Sequence, residues 1–268
     1  STRRSCPMIT LRQSKAIFAI YLRETMSFRA DVIIQLLRSI LSIGVYYYLW
    51  RAVFAARPHA GGLDFSFMVA YIVLVQIVQN LTRPPDIARE LAQAVQEGSI
   101  AIHFLRPYNM QFFFLAQTLA TMIWRAIWVV IPLLVTGMAA SRLLVNPAKA
   151  GLFLLSLPLA LVVNVSIETI LGLAAVWLRQ NEGLVQFRSF VQRFFSGALV
   201  PLALFPKPLA VLASWLPFRS TVDIPIGIYL GYLGPEALAI QAFWTIGLWF
   251  LATFMLARAQ RHLSIFGG

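Results

Sequence analysis

The chain has 268 residues, of which 59% are hydrophobic and only 12% charged. A water-soluble globule of that composition lacks the polar surface to cover itself, so lipid is the solvent for most of the chain. The net charge of +12 does not point to nucleic acid, because the basic residues stand at the ends of apolar runs and not on one polar face.

A membrane span requires roughly 20 apolar residues. Six runs qualify, at residues 32–54, 65–81, 112–138, 151–178, 183–205 and 236–257, and they predict an all-α integral membrane protein of one domain covering residues 1–268. Ahead of the first run, at residues 9–27, Arg12, Lys15 and Arg23 share one arc of a helical wheel while Ile17, Phe18, Ile20, Tyr21 and Leu22 fill much of the rest. That pattern predicts a helix lying along the headgroups, or a tail that anchors the first span. The same three basic residues interrupt the apolar stretch that a twin-arginine leader around Arg3-Arg4 requires. The single cysteine, Cys6, forms no intrachain disulfide. Tyr46, Tyr47, Tyr48 and Trp50 mark the outer interface of span one.

Span two ends in polar residues, Gln76, Gln79 and Asn80, which blurs its inner boundary. A polar segment follows. Pro84 and Pro85 define a helix start that Asp86 can cap, Ile87, Leu91 and Val95 recur every four residues, and Gly98 is placed to end the helix. Residues 86–97 therefore predict a short amphipathic helix whose apolar stripe needs a partner, either the bundle or another protein. Beyond span five, six of the 14 prolines fall between residues 201 and 235, among apolar stretches too short to span. Residues 206–231 read as a helical hairpin dipping into the outer leaflet, where broken backbone must be shielded by protein or line a wet cavity.

With Arg51 and Arg188, near span ends, counted to the side they adjoin, thirteen of the 22 Lys and Arg lie on the side of the N-terminus in this topology, six on the other side, and Arg38, Arg125 and Arg193 deeper within spans. The positive-inside rule then places both termini in the cytoplasm.

No nucleotide-gripping loop is present: such a loop ends in Gly-Lys-Ser or Gly-Lys-Thr, and Lys15, Lys149 and Lys207 follow Ser14, Ala148 and Pro206. His59, His103 and His262 fall in separate polar segments, so neither metal nor acid–base chemistry has ligand spacing. Ionisable groups inside the bilayer cost several kcal/mol and face a bundle interior or cavity. Arg125 lies about 20 Å and Glu168 about 15 Å from the cytoplasmic ends of their spans, so an ion pair between them is expected, structural or substrate-linked. Arg188 and Arg193, near Gln186 and Gln192, are expected on overlapping faces of span five, lining a path or reaching toward the inner headgroups. With Gln76, Gln79, Asn80, Arg125, Asn164, Glu168, Gln192 and Arg193, these complete the intramembrane polar candidates.

Three passages together resemble the membrane subunit of a type-two ATP-binding-cassette exporter of the six-span branch, over nearly the whole chain. They are Phe28-Arg29-Ala30-Asp31; Ala88-Arg89-Glu90-Leu91 with Glu97-Gly98-Ser99-Ile100 and Leu105-Arg106-Pro107; and Pro201-Leu202-Ala203-Leu204-Phe205-Pro206 with Trp215-Leu216-Pro217-Phe218 and Ile228-Tyr229-Leu230-Gly231. The resemblance implies that residues 9–27 are a connecting helix and that 86–97 are a coupling helix resting on a nucleotide-binding subunit. Residues 206–231 become an extracytoplasmic gate that includes Pro206, Trp215, Pro217, Phe218 and Pro225. The ATPase contact would fall on Asp86, Ile87, Arg89, Glu90, Leu91, Gln93, Glu97, Gly98 and Arg106. It further implies a bacterial cytoplasmic membrane, two ATPase subunits that bind the ATP and Mg, no cofactor in this chain, and a second permease subunit, identical or related. The transported molecule would be hydrophobic or amphipathic, drug-, lipid- or natural-product-like. The rival readings are an ATP-independent secondary transporter or channel, for which inverted repeats are not visible, and a membrane lipid enzyme, which lacks an acid–base cluster.

Overall fold

A computed structural model describes residues 29–56, 62–100, 109–141, 147–177 and 182–266. The interfacial helix expected at 9–27, and Arg106, lie outside the described residues. In chain order the helices are α1 (Arg29–Ala56), α2 (Phe65–Thr82), α3 (Ile87–Gln96), α4 (Met110–Arg125), α5 (Ile131–Ser141), α6 (Pro147–Ala174), α7 (Glu182–Phe195), α8 (Lys207–Trp215), α9 (Asp223–Leu230) and α10 (Ala237–Phe266). A π-helical turn, Ala126–Val130, joins α4 to α5, so span three is one rod with a wide turn in it.

Among the described residues five helices are long and apolar enough to cross a membrane: α1, α2, α4 continued into α5, α6 and α10. The run at 183–205, expected as a sixth, forms a helix of only 14 residues, α7. At 1.5 Å per residue it covers about 21 Å, short of the roughly 30 Å hydrocarbon layer. Gln186, Arg188, Gln192 and Arg193 dilute its apolar content, and the chain leaves helical geometry at Ser196 and Gly197.

The axis of the bundle is α2, which is apolar nearly all round, as a helix enclosed by others must be. In its most apolar window 78% of residues are buried, against 6% for α1. Tyr71, Leu74, Ile77 and Val78 of α2 pack with Val129, Val130, Leu133, Phe153, Leu157 and Ile226 from the helices around it. Two hydrogen bonds from polar residues fix α1 against this axis: Gln76 Nε2 donates to Ser42 Oγ (3.0 Å) and Asn80 Nδ2 to Ser39 Oγ (3.1 Å). Gln111 ties α4 to α10 by donating to the Trp249 carbonyl (3.3 Å) and accepting from Thr253 Oγ1 (2.6 Å).

The proline-rich region forms two short helices, α8 and α9, joined by the 3-10 turn Pro217–Thr221. Pro225 sits in the first turn of α9, where a missing N–H costs no intrahelical bond. The inner arm, α9, is buried from Asp223 to Ile228, while α8 leaves Val211, Leu212 and Trp215 exposed.

Candidate functional site

The amphipathic segment after span two is helical from Ile87 to Gln96, and Gly98 follows with φ +71°, the left-handed conformation that ends a helix at little cost for glycine. Its apolar stripe faces the bundle. Ile87 and Leu91 are fully buried against Met110, Phe113, Phe114, Leu161, Val165 and Leu173. These two side chains, expected at an ATPase contact, are therefore internal anchors, and a partner subunit has no access to them while α3 is docked. Asp86, Arg89, Glu90, Gln93, Glu97 and Gly98 lie on the exposed side.

Asp86 stands at the N-cap position, yet its carboxylate makes no capping bond. The cap comes from another helix: Glu168 Oε2 on α6 accepts from the Ala88 amide at 3.2 Å. That reach is possible because α3 lies on Gly172, one turn along α6. A Cβ at residue 172 would stand 2.7 Å from Leu91 Cβ and 3.1 Å from Ala88 Cα, so only a residue without a side chain allows the approach.

The other oxygen of Glu168 forms an ion pair with Arg188 Nη2 on α7. Arg188 Nη1 donates to Gln192 Oε1 (2.6 Å), Gln192 Nε2 donates to Asn164 Oδ1 (2.7 Å), and Asn164 Nδ2 donates to the carbonyl of Thr82 (3.2 Å). Residues four apart on α7 thus meet residues four apart on α6, as antiparallel neighbours in register must. The result is one chain of contacts from the start of α3 through α6 and α7 to the end of α2. It also fixes depth. Asn164 stands ten residues before Ala174, the last of α6, so α2 stops about 15 Å short of that end and α3 fills the space beneath it.

The ion pair expected between Arg125 and Glu168 is not formed, since Glu168 is taken by Arg188 from the adjacent α7. Arg125 Nη1 donates instead to the Arg83 carbonyl at 2.7 Å, covering the end of α2. The expectation that Arg188 and Arg193 share a face also fails: five residues apart, they point about 140° from each other. Arg188 faces inward and Arg193 is exposed. Gln76 and Asn80 join α1 to α2, and Gln79 is half-buried on α2. Thus Asn164, Glu168 and Gln192 are brought together, whereas Gln76, Gln79, Asn80, Arg125 and Arg193 stand apart from that cluster.

A second polar cluster lies at the opposite end of α2. Arg219 Nε donates to Asp223 Oδ2 (2.8 Å), Tyr232 Oη donates to Asp223 Oδ1 (2.8 Å), and Tyr71 Oη donates to the Gly197 carbonyl (2.8 Å). Burial pushes the Asp223 carboxyl up from its ordinary value, and Arg219 and Tyr232 pull it partly back. This cluster joins the hairpin to α2 and to the segment after α7. Of the hairpin residues singled out from the sequence, Phe218 packs with Val163, Ile167 and Leu248. Pro206 stands at the N-cap position of α8 without a capping bond, Trp215 is 75% exposed and Pro217 opens the 3-10 turn.

Sequence reasoning missed Gly172, Tyr71, Asp223 and Tyr232, and gave Glu168 the wrong partner. A usable signal existed in the matched spacing: a polar pair four apart in span four (Asn164, Glu168) and another in span five (Arg188, Gln192).

Among the described residues the chain is an all-helical bundle with five helices long and apolar enough to cross a membrane and a short polar-faced helix seated at one end. The family profile described as ABC-2 family transporter protein matches residues 40–267, and the chain belongs to that family. Neither the curated proteins nor the solved structures gave a match. Family members are membrane components of transporters and work with ATP-binding-cassette ATPases.

Proposed function

We propose that this chain is the permease subunit of an ATP-driven exporter in a bacterial cytoplasmic membrane, with both termini in the cytoplasm. It forms the translocation route for a hydrophobic or amphipathic molecule, paired with a second permease, identical or related. Two ATPase subunits dock on α3 and carry the ATP and Mg. The observation that carries this reading is the construction of α3: one face locked into the bundle by Ile87, Leu91 and the Glu168 cap, the other presenting Asp86, Arg89, Glu90, Gln93 and Glu97 outward. A helix so held moves only with α6 and α7, so a push on its outer face shifts the bundle between inward- and outward-open populations. The push has an effect only if the ATPase contacts the face differently in the two states. The hairpin α8–α9 closes the outer end.

The test is co-purification in mild detergent combined with transport in proteoliposomes. Arg89→Glu combined with Gln93→Ala is expected to release the ATPase subunits and abolish ATP-dependent transport. Both positions are exposed, so folded stability should stay within about 0.5 kcal/mol of the parent. Full transport by a chain purified without any ATPase refutes the reading.

A further inference from the structure

Pro158 lies inside α6. A proline there takes one N–H out of the helical ladder and sets its ring against the carbonyl of the fourth residue back, Leu154, so α6 bends more easily at this point than elsewhere. Polar side chains gather on the buried side of that joint. Ser156 Oγ donates to the Phe153 carbonyl (2.7 Å), and Thr245 Oγ1 of α10 stands 3.5 Å from the Leu159 carbonyl. Gln241 Nε2, one turn earlier on α10, donates to the Ser156 carbonyl (3.1 Å). The same nitrogen also donates to the carbonyl of Ser220 (2.8 Å), in the 3-10 turn that joins the two arms of the hairpin. One amide of α10 thus fastens the turn of the hairpin to the joint of α6. Gln241, Ser156 and Ser220 are all 0% exposed, so a bond that breaks there is not replaced by one to bulk water.

Two atoms of this fastening stay unpaired. Gln241 Oε1 and Ser220 Oγ are buried and have no hydrogen-bond partner among the described residues. One is an acceptor and the other carries a hydrogen to donate, on residues already in contact. A small shift of the turn that exchanges the Ser220 carbonyl for its hydroxyl pairs them. The carbonyl so freed has the first N–H groups of α9 three residues further along the chain, from Asp223 on, and these need acceptors from outside the helix.

We propose that Gln241 is the positioning residue of the hairpin, a clasp with two seats: the Ser220 carbonyl when the hairpin is closed, and the Ser220 hydroxyl when α6, bending at Pro158, has drawn the turn away. The assignment rests on the permease reading above and adds how its closing element is held and released. It also links that element to α3, because the part of α6 beyond Pro158 carries Glu168 and Gly172, the seat of α3.

The experiment uses the full chain with its ATPases in nanodiscs. Cys6→Ser removes the native thiol, and two reporters are placed singly, Ile224→Cys in the hairpin and Ala259→Cys on α10, both at residues that are 0% exposed. The rate of maleimide labelling reads the opening at each. ATP should raise labelling at residue 224 in the parent and leave residue 259 unchanged. Gln241→Met, similar in length but unable to donate, should raise labelling at 224 about tenfold or more without ATP, the scale of two lost hydrogen bonds, with 259 again unchanged. Ser220→Ala deletes only the unpaired hydroxyl, so labelling at 224 should stay at its ATP-free rate when ATP is added, with no fall in Tm. A merely structural Gln241 would loosen both reporters alike in Gln241→Met, and that result overturns the assignment, as does a Gln241→Met protein that labels like the parent. Ser220→Ala that still opens with ATP, as it would if an ordered water served the two atoms, overturns the second seat. A parent indifferent to ATP whose hairpin is released by Gln241→Met would keep the clasp and remove the ATP-driven reading. ATP-driven opening unaffected by either substitution would do the reverse.

Discussion

Replacing Glu168 removes two contacts at once, and the structure says how the losses divide. Its side chain and that of Arg188 are 12% and 14% exposed, so the pair is largely withdrawn from water. Breaking such a pair by removing one partner costs about 3–5 kcal/mol, mainly because the remaining charge stays buried. The partial exposure favours the lower end, about 3 kcal/mol. Loss of the acceptor for the Ala88 amide adds about 1 kcal/mol, the usual value of a helix N-cap. Glu168→Ala should therefore destabilise by about 4 kcal/mol, a large share of the 5–15 kcal/mol typical of a folded domain. Glu168→Gln keeps an oxygen for the cap and should cost about 3 kcal/mol. The diagnostic variant is Glu168→Gln combined with Arg188→Met, which deletes both charges; replacing a whole buried pair is commonly near neutral, so it should be more stable than Glu168→Gln alone. Thermal unfolding in nanodiscs reads stability, and ATPase stimulation by the reconstituted complex reads coupling. If Glu168→Ala lies within about 0.5 kcal/mol of the parent, or the double variant is no better than the single, the ion pair does not hold α3 in place.

Gly172→Ala is a steric test of the same junction. The added carbon meets Leu91 Cβ at 2.7 Å, so the gain in helix propensity of about 1 kcal/mol should be outweighed by an overpacking cost of about 1–3 kcal/mol, with ATP-dependent transport reduced while the protein still reaches the membrane. Retained coupling with raised stability would show that α3 does not lie where α6 needs a glycine. In the hairpin, Asp223 holds its proton more tightly in the folded protein than in the unfolded chain. The folded state then binds more protons than the unfolded one just above the ordinary value of 3.8, so stability is greatest below that value and falls as pH rises through the window up to the folded value. Asp223→Asn should flatten this part of the profile, and parallel unfolding curves for the two proteins would remove the burial argument.

Most of the helical layout is legible in the sequence because it rests on period and length, which are local. The runs at 32–54, 65–81, 112–138, 151–178 and 236–257 each lie mostly or wholly on long helices, and Gly98 ends α3 as its position suggests. What is not legible depends on which helices become neighbours. Depth alone does not choose between partners at one level: Glu168 pairs with Arg188 of α7, and Arg125 donates to the Arg83 carbonyl. Asp86 illustrates the same limit in miniature: the residue type and position suit a cap, but a carboxylate from 82 residues further along the chain takes the amide of Ala88. Gly172 reads as an ordinary small residue in an apolar helix until α3 is laid across it. The run expected as a sixth span forms, among the described residues, a helix of 14 residues, in which Glu182, Gln186, Arg188, Ser189, Gln192 and Arg193 make it the least apolar of the six.

The two polar clusters share the same pair of elements, and that sharing constrains how the protein moves. Thr82 and Tyr71, eleven residues apart on α2, are about 16 Å apart along its axis. The first is tied through Asn164 to Gln192, the second directly to the Gly197 carbonyl. The stretch from Arg188 to Gly197 is therefore fastened at its inner end to the Glu168 cap of α3 and at its outer end to the axis helix beside the hairpin. A displacement of α3 that carries Glu168 and Arg188 with it cannot leave the outer fastening unstressed: either α2 travels with α7 as one body, or the Tyr71 bond opens and the hairpin loses one of its supports. Packed interfaces favour discrete alternatives over continuous bending. In the proposed mechanism, the choice between those two outcomes is the step at which a push on α3 becomes an opening at the hairpin.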